Sequence, residues 1–177
     1  EPYRRQRQMC IRDRIGMLAT VMNCIYVSEM FRSVGMKTKV FTPFSCGPIA
    51  ELFTKDAAVE NLENGAVVFF AGGTGHPYFS TDTTTTLRAI EIEADVILLA
   101  KAIDGVYDSD PKLNPDAKKY EEISISDVID QRLGVMDLSA SIMAMENKMP
   151  MLVFGLNEEN SIVNTVSGKF TGTKVTV

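Results

Sequence analysis

Apolar residues in the first third of the chain recur at three- and four-residue steps, as they do on one face of a helix. The series runs from Ile15 to Val34 and stops at Gly35, a residue type that often ends helices. We therefore predict an amphipathic helix there. Alternating polar and apolar residues over Met36–Phe41 predict a short strand, and Gly47–Ala58 predicts a second helix.

Two later segments are continuously apolar instead of periodic. They are Ala66–Ala71 and Val96–Ala100, and a helix is predicted between them over about Thr83–Ala94. Continuous apolar strands are typical of parallel sheets that are covered by helices on both faces. The predicted fold class is therefore α/β, a three-layer αβα sandwich around a mainly parallel sheet.

The second half of the chain continues the alternation of strands and helices after a long polar loop over residues 104–120. The elements predicted there are helices over 126–131 and 138–147 and strands over 151–154 and 171–177. A length of 177 residues predicts a single domain.

Composition excludes several classes of function. The net charge of −5, from 18 basic and 23 acidic residues, argues against a general nucleic-acid-binding surface. No apolar run approaches the roughly 20 residues that a membrane-spanning helix needs. The three cysteines lie far apart and outside metal-ligand spacings, which favours reduced thiols in a cytoplasmic protein.

A glycine-rich loop follows the first apolar strand, over Gly72–Thr83. Loops at the carboxyl ends of strands in open α/β sheets bind ligands, and glycines let backbone N–H groups approach an anion. The spacing matches neither a dinucleotide fingerprint nor a P-loop. The hydroxyls of the run Ser80–Thr86 suit a polar ligand. Alternatively, the glycines only make a turn and Asp82 caps the next helix.

Two further segments carry carboxylates. The loop Asp104–Pro111 offers three aspartates and Tyr107, which could hold a base and ribose or approach Mg²⁺. Asp137 opens a predicted helix. The alternatives are a solvated turn for the loop and an N-cap for Asp137.

In this order, the segments resemble the bacterial UMP kinase family, a branch of the amino-acid kinases. The matching strings are DRIGMLAT from Asp13, FFAGGTGHPYFSTDT from Phe69, LRAIEIEAD from Leu87, DGVYDSDP from Asp104, VMDLSA from Val135 and PMLVFGLN from Pro150. The resemblance implies an amino-acid kinase fold, transfer of a phosphoryl group from ATP to UMP in pyrimidine nucleotide (CTP) biosynthesis, and Mg²⁺ bound with ATP. It also implies that the full-length protein forms a homohexamer and is regulated by GTP or UTP.

The resemblance also implies roles for individual residues. Those expected to act in catalysis are Asp82 and Asp137, near the transferring phosphoryl group. Those expected to bind ATP are Lys101, Tyr107 and Asp110. Those expected to bind UMP are Asp13, Thr74, Gly75, His76, Pro77, Tyr78, Phe79, Ser80 and Thr81.

The chain departs from the family at several places. His76 stands where the family commonly has Asn, and Lys101 where it often has Thr or Asn. Residues 1–12 match nothing in the family, so we expect an artefactual stretch there and a kinase domain over 13–177 that lacks the N-terminal strands and phosphate-binding segments. Such a fragment is expected to be inactive alone. The alternatives are another amino-acid kinase and a non-catalytic nucleotide- or oxyanion-binding protein on the same fold.

Overall fold

The chain folds into two compact units, one ending at Thr84 and the other beginning at Thr85, whereas its length alone predicts one. The structure, a computed structural model, describes the backbone of residues 2–177 and the side chains from residue 11 onward. Each unit contains its own sheet.

The first unit consists of a long helix, a three-stranded sheet and a short helix. Its elements are α1 (Pro2–Ser33), β1 (Thr38–Thr42), β2 (Glu51–Leu52), α2 (Lys55–Glu63) and β3 (Val67–Phe70). The strand order is β2-β1-β3 and both pairs are parallel. The helix α1 packs against β1 and β3. Val21 from α1, Val40 from β1 and Ala71 after β3 form the buried core. The next helix, α3 (Thr81–Glu91), starts in this unit and crosses into the second.

The second unit has a four-stranded sheet with three short helices. Its elements are β4 (Ile97–Lys101), β5 (Glu122–Ser124), α4 (Ile125–Asp130), α5 (Leu138–Glu146), β6 (Met151–Gly155), α6 (Ser161–Val166) and β7 (Thr173–Thr176). The order is β4-β6-β7-β5, and only the β6–β7 pair is antiparallel among the strand pairs described. The core is built on Met151, Val153 and Val175, each at most 1% exposed.

The predicted α/β class with a mainly parallel arrangement of strands is confirmed. The predicted helix over Gly47–Ala58 is wrong, because Glu51 and Leu52 pair with β1 and the Phe53 N–H donates to the Thr42 carbonyl at 2.8 Å. The helix begins only after Thr54, whose hydroxyl accepts the Ala57 N–H at its start. The N-terminal helix begins before residue 15, and the short elements β2, β5 and α6 were not predicted.

Candidate functional site

The glycine-rich loop begins where β3 ends, beside the end of β1. The Ala71 N–H still donates to the Phe41 carbonyl of the neighbouring strand, at 2.9 Å. The chain then leaves the sheet at Gly72, which has a φ of +82°, and turns so that the Gly75 N–H donates to the Gly72 carbonyl at 3.2 Å. Positive φ values suit glycine because it has no Cβ. The loop therefore lies at the carboxyl end of the sheet, as the sequence predicts.

The segment after β1 supports the loop from one side. A Cβ added at Gly72 would lie 2.8 Å from the Phe44 ring, and one at Gly75 would lie 3.1 Å from Pro43. The Thr42 hydroxyl, which is fully buried, donates to the Phe44 carbonyl at 2.7 Å and holds this segment in place. Side chains at the two glycine positions would push the loop off its support.

The helix α1 supports the loop from another side. The Asp13 carboxylate accepts the backbone N–H of Tyr78 at 2.9 Å, across 65 positions of sequence. Tyr78 has a φ of +72°, an unfavourable conformation for a residue with a Cβ. A charge-assisted hydrogen bond at that position offsets some of the cost. The structure thus brings Asp13 together with the loop that the resemblance assigns to UMP.

The remaining loop residues present polar and aromatic groups to solvent. The Thr74 hydroxyl accepts the His76 N–H at 3.2 Å, so it closes a local turn. Tyr78 and Phe79 are 57% and 58% exposed, which is unusual for aromatic side chains. Exposed rings beside a turn of backbone N–H groups can contact a base or a sugar.

Ser80 caps α3, and Asp82 does not. The Ser80 hydroxyl accepts the Thr83 N–H at 3.0 Å, as an N-cap side chain does. Asp82 is the second residue of the helix and is half-buried. The interpretation of Asp82 as the N-cap is therefore wrong. Its carboxylate lies in the first helical turn, where the helix dipole favours a negative charge.

The threonine run is only partly available to a ligand. Thr83, Thr84 and Thr86 are at most 8% exposed, and the Thr84 hydroxyl donates to the Ser80 carbonyl at 3.0 Å. These hydroxyls therefore pack inside the protein. Thr81 is exposed at the helix start.

In the second unit, the loop after β4 is organised around a carboxylate. Asp104 accepts hydrogen bonds from the Lys119 ammonium at 2.8 Å and from the Tyr107 hydroxyl at 2.7 Å. The Lys119 hydrogen bond lowers the pKa of Asp104, and the same contact raises the pKa of Lys119. The hydrogen bond to Asp104 raises the pKa of Tyr107. The loop therefore has a fixed internal framework.

The buried end of this loop is tied to β7. The Thr173 hydroxyl, fully buried, accepts the Val106 N–H at 2.8 Å and donates to the Tyr120 carbonyl at 2.5 Å. A Cβ on Gly105 would lie 2.7 Å from the same oxygen. The backbone of the loop thus passes directly over Thr173.

Two further aspartates of the loop, Asp108 and Asp110, make local turns. Asp108 accepts the Lys118 N–H at 3.0 Å, which lowers its pKa, and Asp110 accepts the Lys112 N–H at 2.9 Å. Both side chains are exposed. Lys101 ends β4, and its carbonyl accepts the Leu156 N–H at 2.7 Å. These contacts fit the turn interpretation, and the exposed Asp110 can also contact a ligand.

Asp137 is the N-cap of α5. Its carboxylate accepts the Ala140 N–H at 2.9 Å, and the residue is half-buried. This fits the N-cap alternative that the sequence left open, and an N-cap carboxylate can also serve a site at a helix start. Asp137 belongs to the second unit with Lys101, Tyr107 and Asp110, whereas Asp13 and residues 74–82 belong to the first.

The described part of the chain contains neither a cluster of metal-ligating side chains nor a helix suited to a membrane. Among the side chains from residue 11 onward, no three or more acidic, histidine or cysteine groups are clustered to hold a metal ion. Among the helices within residues 2–177, none combines the length and apolar character that crossing a membrane requires.

Sequence reasoning missed the polar residues that support the two loops. Thr20 accepts the Gly72 N–H at 2.9 Å, and Lys119 and Thr173 hold the loop after β4. Thr20 stood inside the matching string from Asp13, but nothing local gave it a role. These contacts join residues at least 15 positions apart, so no local pattern identifies them.

Comparison with known proteins matches this chain to one family and to solved structures of kinases. The sequence profile of the Amino acid kinase family matches residues 3–155, a range that starts before the predicted boundary at residue 13. The crystal structure of UMP kinase from Bacillus anthracis is 35% identical, with a TM-score of 0.90 over 95% of this chain and 70% of that one. UMP kinase from Ureaplasma parvum is 34% identical, with a TM-score of 0.90 over 96% and 72%. Uridylate kinase from Archaeoglobus fulgidus is 28% identical, with a TM-score of 0.71 over 94% and 72%.

Proposed function

Because the chain belongs to the amino acid kinase family, we propose that it is a UMP kinase, transferring the γ-phosphoryl group of ATP to UMP. ADP and UDP are the products, and the reaction serves pyrimidine nucleotide biosynthesis. Two similar structures, at 35% and 34% identity, are of UMP kinases.

The observation that carries the proposal is the convergence of Asp13 with the glycine-rich loop. Asp13 lies 65 positions before Tyr78, and its carboxylate accepts a hydrogen bond from the Tyr78 backbone N–H. Both belong to strings that resemble UMP kinases, and in those strings both are assigned to UMP. Two residues that the resemblance assigns to UMP, and that lie far apart in the sequence, are therefore in direct contact.

The loop has the chemistry that a nucleoside monophosphate requires. Its glycines allow a bound phosphate to approach the backbone N–H groups, and the following α3 directs its N-terminus toward the end of the loop. Thr74 and Thr81 add hydroxyls, and Tyr78 and Phe79 add exposed rings. We assign the phosphate to the backbone and hydroxyl groups, and the nucleoside to the rings and Asp13.

Phosphoryl transfer needs little covalent chemistry from the protein. An oxygen of the UMP phosphate attacks the γ-phosphorus, and the bond from that phosphorus to the bridging oxygen of ADP breaks. Catalysis then rests on positioning and on stabilising charge. In this proposal Asp82 orients the acceptor phosphate from the first turn of α3, and Asp137 orients the nucleotide donor from the start of α5.

The loop over residues 104–120 is the proposed ATP site, with Tyr107, Asp110 and Lys101 as its contacts. Its framework of Asp104, Lys119 and Thr173 would hold the adenine and ribose contacts in place. Mg²⁺ is expected to enter with ATP, because this ion usually binds through substrate phosphates and one or two carboxylates.

We also propose that the protein assembles with copies of itself, as a hexamer. The outer face of α1 carries an apolar stripe, here called the α1 stripe, in which each side chain is 50% to 71% exposed. Its members are Ile11, Ile15, Leu18, Met22 and Tyr26. A continuous apolar stripe of this kind is typical of a protein–protein contact.

The free thiols Cys24 and Cys46 suit a cytoplasmic location. We further propose that GTP or UTP regulates the kinase activity of the assembled protein.

A coupled ADP-release assay tests the proposed reaction. It is run on the 177-residue chain and on a fusion carrying the N-terminal segment of a related UMP kinase, with UMP, CMP and carbamate as acceptors in turn. Turnover with UMP alone is expected from the fusion. Turnover with carbamate would indicate another amino-acid kinase. Nucleotide binding without any turnover in the fusion would indicate a binding protein.

Substitutions in the loop test the placement of the UMP site. Thr74→Ala and Thr81→Ala are expected to raise the KM for UMP more than the KM for ATP, because Thr74 lies in the loop after β3 and Thr81 begins the helix that follows it. Unchanged KM values for both nucleotides would show that the UMP site lies elsewhere.

A further inference from the structure

The first residue of the glycine-rich loop is held by a hydroxyl group of α1. The Gly72 N–H donates to Thr20 Oγ1 at 2.9 Å, and the same oxygen lies 2.7 Å from the Met17 carbonyl. An N–H group can only donate and a carbonyl can only accept. The Thr20 hydroxyl must therefore donate to Met17 and accept from Gly72, which fixes its orientation.

Gly72 is confined on its other side as well. It is buried and has a φ of +82°. A Cβ built on it would lie only 2.8 Å from the Phe44 ring. Its backbone therefore lies between that ring and Thr20. A buried N–H that loses its acceptor is costly. Without the hydroxyl, the loop would have to shift to find another acceptor or water.

A second contact from the same helix holds the loop at Tyr78. Asp13 lies seven residues before Thr20, which is two helical turns, so both side chains point to the same face of α1. Asp13 accepts the Tyr78 N–H at 2.9 Å. The helix thus holds the segment Gly72–Tyr78 at its first and last residues.

We propose that Thr20 is a positioning residue for the nucleoside monophosphate site. It contacts no ligand in this proposal and acts through the backbone of Gly72, setting where the following N–H groups of the loop point. The proposal rests on the assignment of this loop to UMP. Because the residues assigned to ATP belong to the second unit, the effect of Thr20 is expected to be specific to UMP.

Three variants at Thr20 separate the hydroxyl from the bulk of the side chain. Thr20→Val keeps the branched shape and removes the hydrogen bonds, whereas Thr20→Ser keeps the hydroxyl. Titration calorimetry on the 177-residue chain should show about tenfold weaker UMP binding for Thr20→Val, because the Gly72 N–H loses its partly buried acceptor. Thr20→Ser should bind UMP within about twofold of the parent chain, and ATP binding should change less than about twofold throughout. Thr20→Ala replaces the valine variant if that one does not fold.

Amide hydrogen exchange at Gly72 gives a readout that does not depend on nucleotide. Exchange should accelerate in Thr20→Val and stay slow in Thr20→Ser. The control is Ser33→Ala, because the Ser33 hydroxyl also donates to a carbonyl three residues earlier in α1 and is exposed. It should change neither exchange at Gly72 nor UMP binding.

The possible outcomes distinguish this inference from the function it rests on. Faster exchange at Gly72 with weaker UMP binding supports both. Faster exchange in a chain that binds ATP but not UMP supports the contact and overturns the UMP assignment. Unchanged exchange and UMP binding in Thr20→Val overturn the positioning role.

Discussion

At the scale of single residues, the start of α3 shows which of two polar residues caps the helix. The sequence offered Asp82 as either a cap or a catalytic carboxylate. The structure gives the cap to Ser80, whose hydroxyl accepts the Thr83 N–H at 3.0 Å. Asp82 stands at the second helical position instead, beside the loop assigned to UMP. The N-cap explanation for Asp82 is therefore removed, and its catalytic role stays a prediction.

Replacing Asp82 with Asn should reduce catalysis far more than stability. We expect kcat to fall by roughly 10²-fold in a version of the protein that turns UMP over, since one preorganised charged group near the reacting phosphoryl is lost. Steady-state kinetics with both nucleotides and thermal unfolding measure the two effects.

Asp56→Asn is a matched control for the Asp82 variant. Asp56 is also the second residue of a helix, α2, and is exposed there. Its substitution removes a similar interaction with a helix N-terminus but should leave kcat unchanged. Equal kcat values for Asp82→Asn and the parent protein would contradict the catalytic role.

At the scale of elements, residue patterns predicted the longer helices and strands and failed at the short ones. The helix α5 and the strand β6 lie within one residue of their predicted bounds. The strand β2 has two residues and β5 has three, which is too short to show a period. The helix predicted over Gly47–Ala58 is wrong because residue type alone does not distinguish a helix from a short strand that pairs with β1.

Continuous apolar character also overstated burial in β4. The sequence predicts a strand covered on both faces, yet burial alternates along Ile97–Lys101 and Leu98 is 40% exposed. The apolar residues of β4 indicate only that this segment favours an apolar environment. Which segment supplies that environment depends on the tertiary contacts of the whole chain.

The loop over residues 104–120 should lose stability in a pH-dependent way when its ion pair is removed. The pKa of Asp104 is lowered by Lys119, so its contribution is present above the ordinary aspartate pKa of about 4 and is lost as pH falls through the lowered value. The pKa of Lys119 is raised, so its contribution is present below the ordinary lysine pKa of about 10.4 and is lost at higher pH. The pair therefore stabilises the protein between these limits.

Urea unfolding of Lys119→Met across pH measures this effect. Both side chains are about one-third exposed, at 32% and 35%, so solvent limits the loss to about 1 kcal/mol or less near neutral pH. The difference from the parent protein should shrink below about pH 4. Lys112→Met, at an exposed position in the same loop, should show no such dependence. A difference that stays constant from acid to neutral pH would contradict the role of the pair.

At the scale of the whole molecule, contacts between distant segments lay beyond what residue patterns can predict. The bond from Tyr78 to Asp13 spans 65 positions, and the one from Val106 to Thr173 spans 67. Resemblance to a family suggested that Asp13 and the loop share a ligand. Thr20 and Thr173 act on backbone groups, and a single threonine in a helix or strand carries no local signal for such a role. The sequence therefore predicts candidate ligand-binding residues, but it does not predict the residues that support them.

The α1 stripe should determine whether the protein associates with itself. Its members are at least 50% exposed, and leaving such a surface in water is unfavourable compared with burying it against an identical stripe. We expect the parent protein to elute as an oligomer in size-exclusion chromatography with light scattering. Leu18→Glu and Met22→Glu should each lower the measured mass, because a charge would be buried in the contact. Asn23→Glu adds the same charge at an exposed position next to the stripe and should leave the mass unchanged. A monomeric parent protein, or an oligomer that survives both stripe variants, would show that α1 does not form the contact.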